Sequence, residues 1–194
     1  MITDKQIIVF SGPSGVGKTT LCARLAEEEP RIKLCVTATT RAPRSGEIDG
    51  KDYWFISQET FKDWLKNGEI IEYVQLFDHF YGTPKKSVED IFKQDRYPLL
   101  RIDVKGATSI KQLGYKGVFI FILPPDVETL VQRLKKRHTL PVDIEKRIAQ
   151  AKEELKYKDD YAFQVVNDDL ERALTEVKNI LSFHLFKDYI VKTR

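Results

Sequence analysis

Residues 6–20 read QIIVFSGPSGVGKTT. The first half is an apolar, β-branched run without a polar break, which suits a short strand buried on both faces. The second half, Gly12-Pro13-Ser14-Gly15-Val16-Gly17-Lys18-Thr19, fits G-x-x-x-x-G-K-[ST]. Glycines let the backbone fold tightly around an anion, so that successive N–H groups and the N-terminus of the following helix point at it. TTLCARLAEEE comes next, with Leu21, Leu25 and Ala26 at helical spacing. A glycine-rich surface turn would also match the pattern. Placement between a strand and a helix is what separates the two readings. The stretch predicts a nucleoside triphosphate site over Gly12–Thr20, with Lys18 reaching the β- and γ-phosphates and the Thr19 hydroxyl ligating Mg²⁺.

Moving outward, the same strand–helix rhythm recurs. YPLLRIDV is an apolar run followed by GATSIKQLG, a short helix with Gly114 as its stop. GVFIFIL reads as a buried strand closed by Pro124 and Pro125, and DVETLVQRLKKR and VDIEKRIAQAKEELKYK read as amphipathic helices. AFQVV is a last strand and LERALTEVKNILSFHLFKDYI a C-terminal helix. Strands alternating with helices predict an α/β fold with a parallel core sheet covered on both faces. Thr39–Gly82 breaks the rhythm. It mixes strand-like DYWFI and EIIEYVQL with one helix, SQETFKDWLKNG, and so predicts an inserted α+β subdomain with Trp54 and Trp64 in its core.

The composition fits one domain: 194 residues, 42% hydrophobic, enough for a sizeable core. Against 29 acidic side chains stand 32 basic ones, and a net +3 gives no reason to expect nucleic acid or a membrane surface as partner. MITDKQIIVF lacks the features of a signal peptide, so a cytoplasmic protein is expected, with Cys22 and Cys35 as buried, reduced thiols.

A triphosphate site does not say what becomes of the γ-phosphate; water or a second substrate could attack it. TTRAPRSGEIDGKDYWF (39–55) bears on this question. Guanidinium groups fork onto phosphate oxygens, and two can fix a dianion in position and orientation. Arg41 and Arg44, on a glycine-bearing loop after a strand, could clamp a second phosphate opposite the first. Spacing alone does not separate this from two solvated surface arginines.

Over nearly its whole length the chain resembles the guanylate kinase family. The resemblance is carried by SGPSGVGKTT (11–20), TATTRAPRSGEIDGKDYWF (37–55), GEIIEYVQLFDHFYGTP (68–84), RIDVKGA (101–107), RLKKR (133–137), EKRIAQAKEEL (145–155) and VVNDDL (165–170). It implies a three-layer P-loop fold: a core of about 1–38, 84–127 and 160–194, an inserted GMP-binding subdomain of about 39–83, and a small helical lid of about 128–159. The implied activity is ATP-dependent phosphorylation of GMP and dGMP to the diphosphates, with Mg²⁺ accompanying ATP. A homo-oligomer is left open.

By the same resemblance, Arg41 and Arg44 hold the GMP phosphate with the hydroxyls of Tyr53 and Tyr81, and Glu47 supports them. Glu72 is implied to accept from the guanine ring N–H and amine, with Thr37 and Thr83 also at the base. Gly82 and Asp103 fall in the same GMP-binding set. Arg133, Arg137 and Arg147 are implied to close on the phosphates with Lys18, and Asn167 and Asp168 to lie near the adenine. Two positions depart from the family pattern: Arg101 stands where an acid is usual, and Arg137 is followed by His138 rather than glycine.

Other polar residues take plainer readings. His79, His138 and His184 are packed or surface histidines, FHLF (183–186) packs the last helix onto the sheet, and KEELKYKDD (152–160) is a solvated helical face. A binding module that has lost its phosphate loop is disfavoured, because here the loop is intact. A related kinase acting on another phosphorylated small molecule is the remaining alternative.

Overall fold

All five residues of the strand Ile7–Ser11 are buried. Alternate side chains leave a strand on opposite faces. Ile8 and Phe10 therefore enter one hydrophobic cluster and Ile7 and Val9 another, on the other side of the sheet. A computed structural model describes residues 5–76, 78–136 and 141–186, with backbone only at 141–143. In chain order the elements are β1 (Ile7–Ser11), α1 (Lys18–Glu28), β2 (Ile32–Leu34), β3 (Ala38–Thr39), β4 (Trp54–Phe55), α2 (Gln58–Lys66), β5 (Ile70–Leu76), β6 (His79–Pro84), α3 (Lys85–Lys93), β7 (Tyr97–Arg101), α4 (Val104–Gln112), β8 (Gly117–Leu123), α5 (Val127–Lys135), α6 (Pro141–Leu155), β9 (Phe163–Val166) and α7 (Leu170–His184).

The core sheet is five-stranded and parallel, in the order β2-β7-β1-β8-β9. On one face α1 and α7 supply Leu21, Leu25, Val177 and Leu181; on the other, α3 and α4 supply Val88, Ile91, Ala107 and Ile110. This is the covered parallel sheet that the continuous apolar strands require. The second sheet, β4-β3-β6-β5, is mixed: β3–β4 is parallel, while β3–β6 and β5–β6 are antiparallel. No helix among the described residues is long and apolar enough to cross a membrane.

Several expectations change. The tryptophans do not form the core of the insert: Trp54 is 40% exposed and Trp64 half-buried. Phe61 fills that place, fully buried and stacked on Phe80 at 5.3 Å. The reason is register, since a two-residue β4 at the sheet edge turns Trp54 outward. Leu185 and Phe186 are buried as expected of FHLF, but Phe183 is exposed. Helix α7 ends at His184, and the expected continuation towards residue 190 passes beyond the described residues. The free thiols of Cys22 and Cys35 are both buried.

Candidate active site

The carboxyl ends of β1 and β7 open into a cleft of about 280 Å³, bounded by the phosphate loop, the inserted sheet and α6. A crevice at this end of a parallel sheet is where open α/β proteins place ligands. The loop reaches its shape through left-handed glycines. Gly12 (φ 124°) passes so close to β8 that a Cβ would run into the Ile122 carbonyl oxygen, and Gly17 (φ 94°) passes equally close to the Asn167 amide. That amide donates to the Val16 carbonyl at 2.7 Å and fastens the loop, while Val16 itself is fully buried.

Lys18 leads α1 and turns back over the loop, donating to the Gly12 carbonyl and, at 3.0 Å, to that of Pro13. Burial pushes its pKa down to about 8, against the opposing pull of the Glu154 carboxylate. Thr19, beside it, is exposed and lines the cleft. Among the described residues no cluster of histidine, cysteine or carboxylate could cage a metal ion. A lone hydroxyl next to a phosphate loop fits Mg²⁺ of the kind that arrives on nucleotide phosphates and keeps several waters.

Arg41, Arg44, Tyr53 and Tyr81 line the same cleft as the loop. Arg41 makes a two-pronged pair with Glu47, at 2.8 and 2.9 Å, and the same carboxylate accepts from the Arg44 backbone N–H at 2.7 Å. Glu47 therefore acts as a brace behind the arginines and is not itself a cleft wall. The Arg41 guanidinium lies 5.3 Å from the Tyr53 ring, which meets Tyr81 edge-on.

Deeper in the cleft, Glu72 on β5 is only 5% exposed, and Thr83 donates to one of its oxygens at 2.5 Å. A Cβ on Gly106 would stand 2.5 Å from the other oxygen, so the missing side chain leaves room for that carboxylate. Thr37 and Asp103 also line the cleft; Asp103 caps α4 by accepting from the Gly106 N–H at 2.7 Å. Gly82 lies below the surface, where a Cβ would press on the Phe61 ring at 2.9 Å.

Of the arginines ascribed to closure, Arg147 on α6 lines the cleft, while Arg133 on α5 donates to the Asn167 carbonyl at 3.1 Å. Arg137 and His138 lie outside the described residues. Asp168 is paired with Arg172 at 2.5 Å. Val16, Thr20, Glu47, Gly82, Thr83, Arg133, Asn167 and Asp168 do not line the cleft; of these, Glu47 bonds Arg41 and Arg44, and Thr83 bonds Glu72, all of which do.

Among the polar residues of the cleft, Gln150 and Glu154 escape the sequence reading, and Arg101, noted there only as a departure from the family pattern, had no site role assigned. Glu154 corrects the solvated-face reading of 152–160, being 7% exposed. It accepts from Gln150 at 2.8 Å, and burial raises its pKa while Lys18 lowers it. The signal was present in the sequence, since Ile148, Ala151, Glu154 and Leu155 form one inward stripe at helical spacing.

A guanylate kinase family model matches residues 4–184. The chain is 45% identical over 177 residues to a guanylate kinase of Clostridioides difficile, a match covering 91% of this chain and 86% of that protein. It is 46% identical over 176 residues to one of Caldanaerobacter subterraneus, covering 90% and 85%. Among solved structures, a guanylate kinase from Anaplasma phagocytophilum superposes with a TM-score of 0.77 at 36% identity, over 94% of this chain and 87% of that one. With the family pattern matched from the phosphate loop through α7, the chain belongs to the guanylate kinase family.

Proposed function

We propose that the chain transfers the γ-phosphoryl group of ATP to GMP and dGMP, releasing ADP and the diphosphate. One observation carries this reading: the glycine loop with Lys18, the Arg41 and Arg44 pair and the buried Glu72 carboxylate all line a single cleft. ATP phosphates would lie along Gly12–Thr20, with Lys18 at the β- and γ-oxygens. The acceptor phosphate would lie between Arg41 and Arg44, with the Tyr53 and Tyr81 hydroxyls donating.

Glu72 would read the base. Guanine offers a ring N–H and an amine to a carboxylate, where adenine offers an acceptor, and a site built on such pairing rejects the wrong base by about 10⁴. Mg²⁺, held by Thr19 and the phosphates, would neutralise charge on the transferring group.

The protein's own work is alignment and charge stabilisation. Setting two nucleotides in line lowers the barrier by about 7–11 kcal/mol. Lys18 and Arg147 already line that cleft. Arg133 and Arg137 would join them when the helical lid and the insert close and exclude water. The acceptor phosphate is ionised at neutral pH, so no side-chain base is needed. The reaction belongs to purine nucleotide metabolism in the cytoplasm.

A coupled assay of ADP release over GMP, AMP, CMP, UMP and no acceptor tests the reading. Rapid release with GMP alone is expected. Equal release with AMP would remove Glu72 as base reader, and release without acceptor would mean hydrolysis.

A further inference from the structure

Arg101 is the last residue of β7, and the parallel register sets it beside Phe10, one residue before Ser11 and two before the phosphate loop opens at Gly12. Its side chain reaches across to the insert, where its Nη2 donates to the Tyr53 hydroxyl at 3.3 Å and its guanidinium lies 5.8 Å from the Tyr53 ring. It lines the same cleft as Arg41, Arg44 and Lys18.

Two features make this guanidinium a group in want of an anion. Among the described residues Arg101 forms no ion pair, although Asp103 is only two residues away; that side chain accepts from the α4 N-terminus. Arg41, by contrast, spends three of a guanidinium's five N–H donors on Glu47 and the Ala42 carbonyl. Among the described residues Arg101 spends one, on Tyr53. The Tyr53 hydroxyl accepts from Arg101 and keeps its own proton to donate to a ligand in the cleft that Tyr53 lines. The charge also acts at the donor side, where it opposes the protonation of Lys18.

We propose that Arg101 is a third phosphate ligand of the acceptor nucleotide, binding the side of its phosphate that faces the phosphate loop and aiming the Tyr53 hydroxyl at the same group. The inference rests on the acceptor being GMP, and it assigns a role where the family pattern has an acid instead. The Arg101 fork meets the acceptor phosphate at the oxygens nearest the incoming phosphoryl group.

Calorimetric titration of GMP and of guanosine into the full chain without ATP tests this, because guanosine keeps the base and lacks the phosphate. A charge-assisted hydrogen bond lost from the phosphate predicts that Arg101→Gln weakens GMP binding about 10- to 100-fold. Guanosine binding should be unchanged, and Arg101→Lys should recover part of the loss. Tyr53→Phe should weaken GMP and not guanosine. Unchanged GMP affinity in Arg101→Gln would overturn the proposal, as would equal weakening of GMP and guanosine, which would mark a structural role through the insert. If the wild-type chain bound GMP no better than guanosine, the acceptor reading itself would fall, and this inference with it.

Discussion

At the scale of single residues, the Glu72 carboxyl is held between the Thr83 hydroxyl and the Gly106 backbone, out of water. Burial pushes its pKa up to about 7, with the negative Asp103 adding to the rise. Since the ordinary value is 4.5, the folded chain keeps this proton where the unfolded chain has lost it. Stability is therefore highest below pH 4.5 as far as this group is concerned, and it is lost as pH rises through 7. On the proposed reading guanine needs the charged form, so binding runs the other way: guanosine, which lacks the titrating phosphate, should bind more tightly from pH 6 to 8 and release a proton on binding near neutrality. Titrations in buffers of different ionisation enthalpy would read that proton directly. Glu72→Gln should remove both the proton release and the discrimination between GMP and AMP; a Gln variant with unchanged pH dependence would show that another group titrates.

At the scale of elements, legibility followed the length of the local pattern. β1, α1 and β8 were readable because their apolar runs or helical spacing span five or more residues, and the glycine loop is fixed by chemistry that tolerates little else. β2 is three residues of sheet edge whose partner, β7, lies more than sixty residues on, so no local signal marks it. α3 went unread: it buries only Val88 and Ile91 deeply, and its N-cap is Pro84, with no side-chain cap to mark its start. In the insert, aromatic content was legible while the choice of core residue was not, since that depends on which face of a two-residue strand meets α2. The consequence can be measured. Phe61 stacks on Phe80 and meets Tyr73 edge-on, and Phe61→Ala should cost about 3–5 kcal/mol. Because Phe61 lies under β6, GMP binding should fall well before ATP binding does. Parallel loss of both nucleotides in calorimetry would mean the insert and the core lose structure together.

At the scale of the molecule, two sheets with different jobs meet along one cleft. The parallel sheet carries the phosphate loop on β1 and Arg101 on β7, and the mixed sheet carries Glu72, Tyr81 and the loop of Arg41 and Arg44. Residues that touch the cleft from motif positions could be named in advance because phosphate binding demands particular residue types at fixed spacing. Arg101 owes its place to the register of β7 against β1, which no local pattern encodes, whereas Glu154 was legible only as an inward helical position and needed the packing of α6 to bring it to the cleft. The account stands on the glycine loop and the arginine pair holding two phosphates in one cleft. A crystal structure of the chain with ADP and GMP bound together measures this most directly. It should place guanine on Glu72 and the GMP phosphate among Arg41, Arg44 and Tyr53, with an acceptor oxygen aimed at the ADP β-phosphate along the phosphate loop. Guanine bound elsewhere, or Arg41 and Arg44 turned away from the nucleotide, would contradict it.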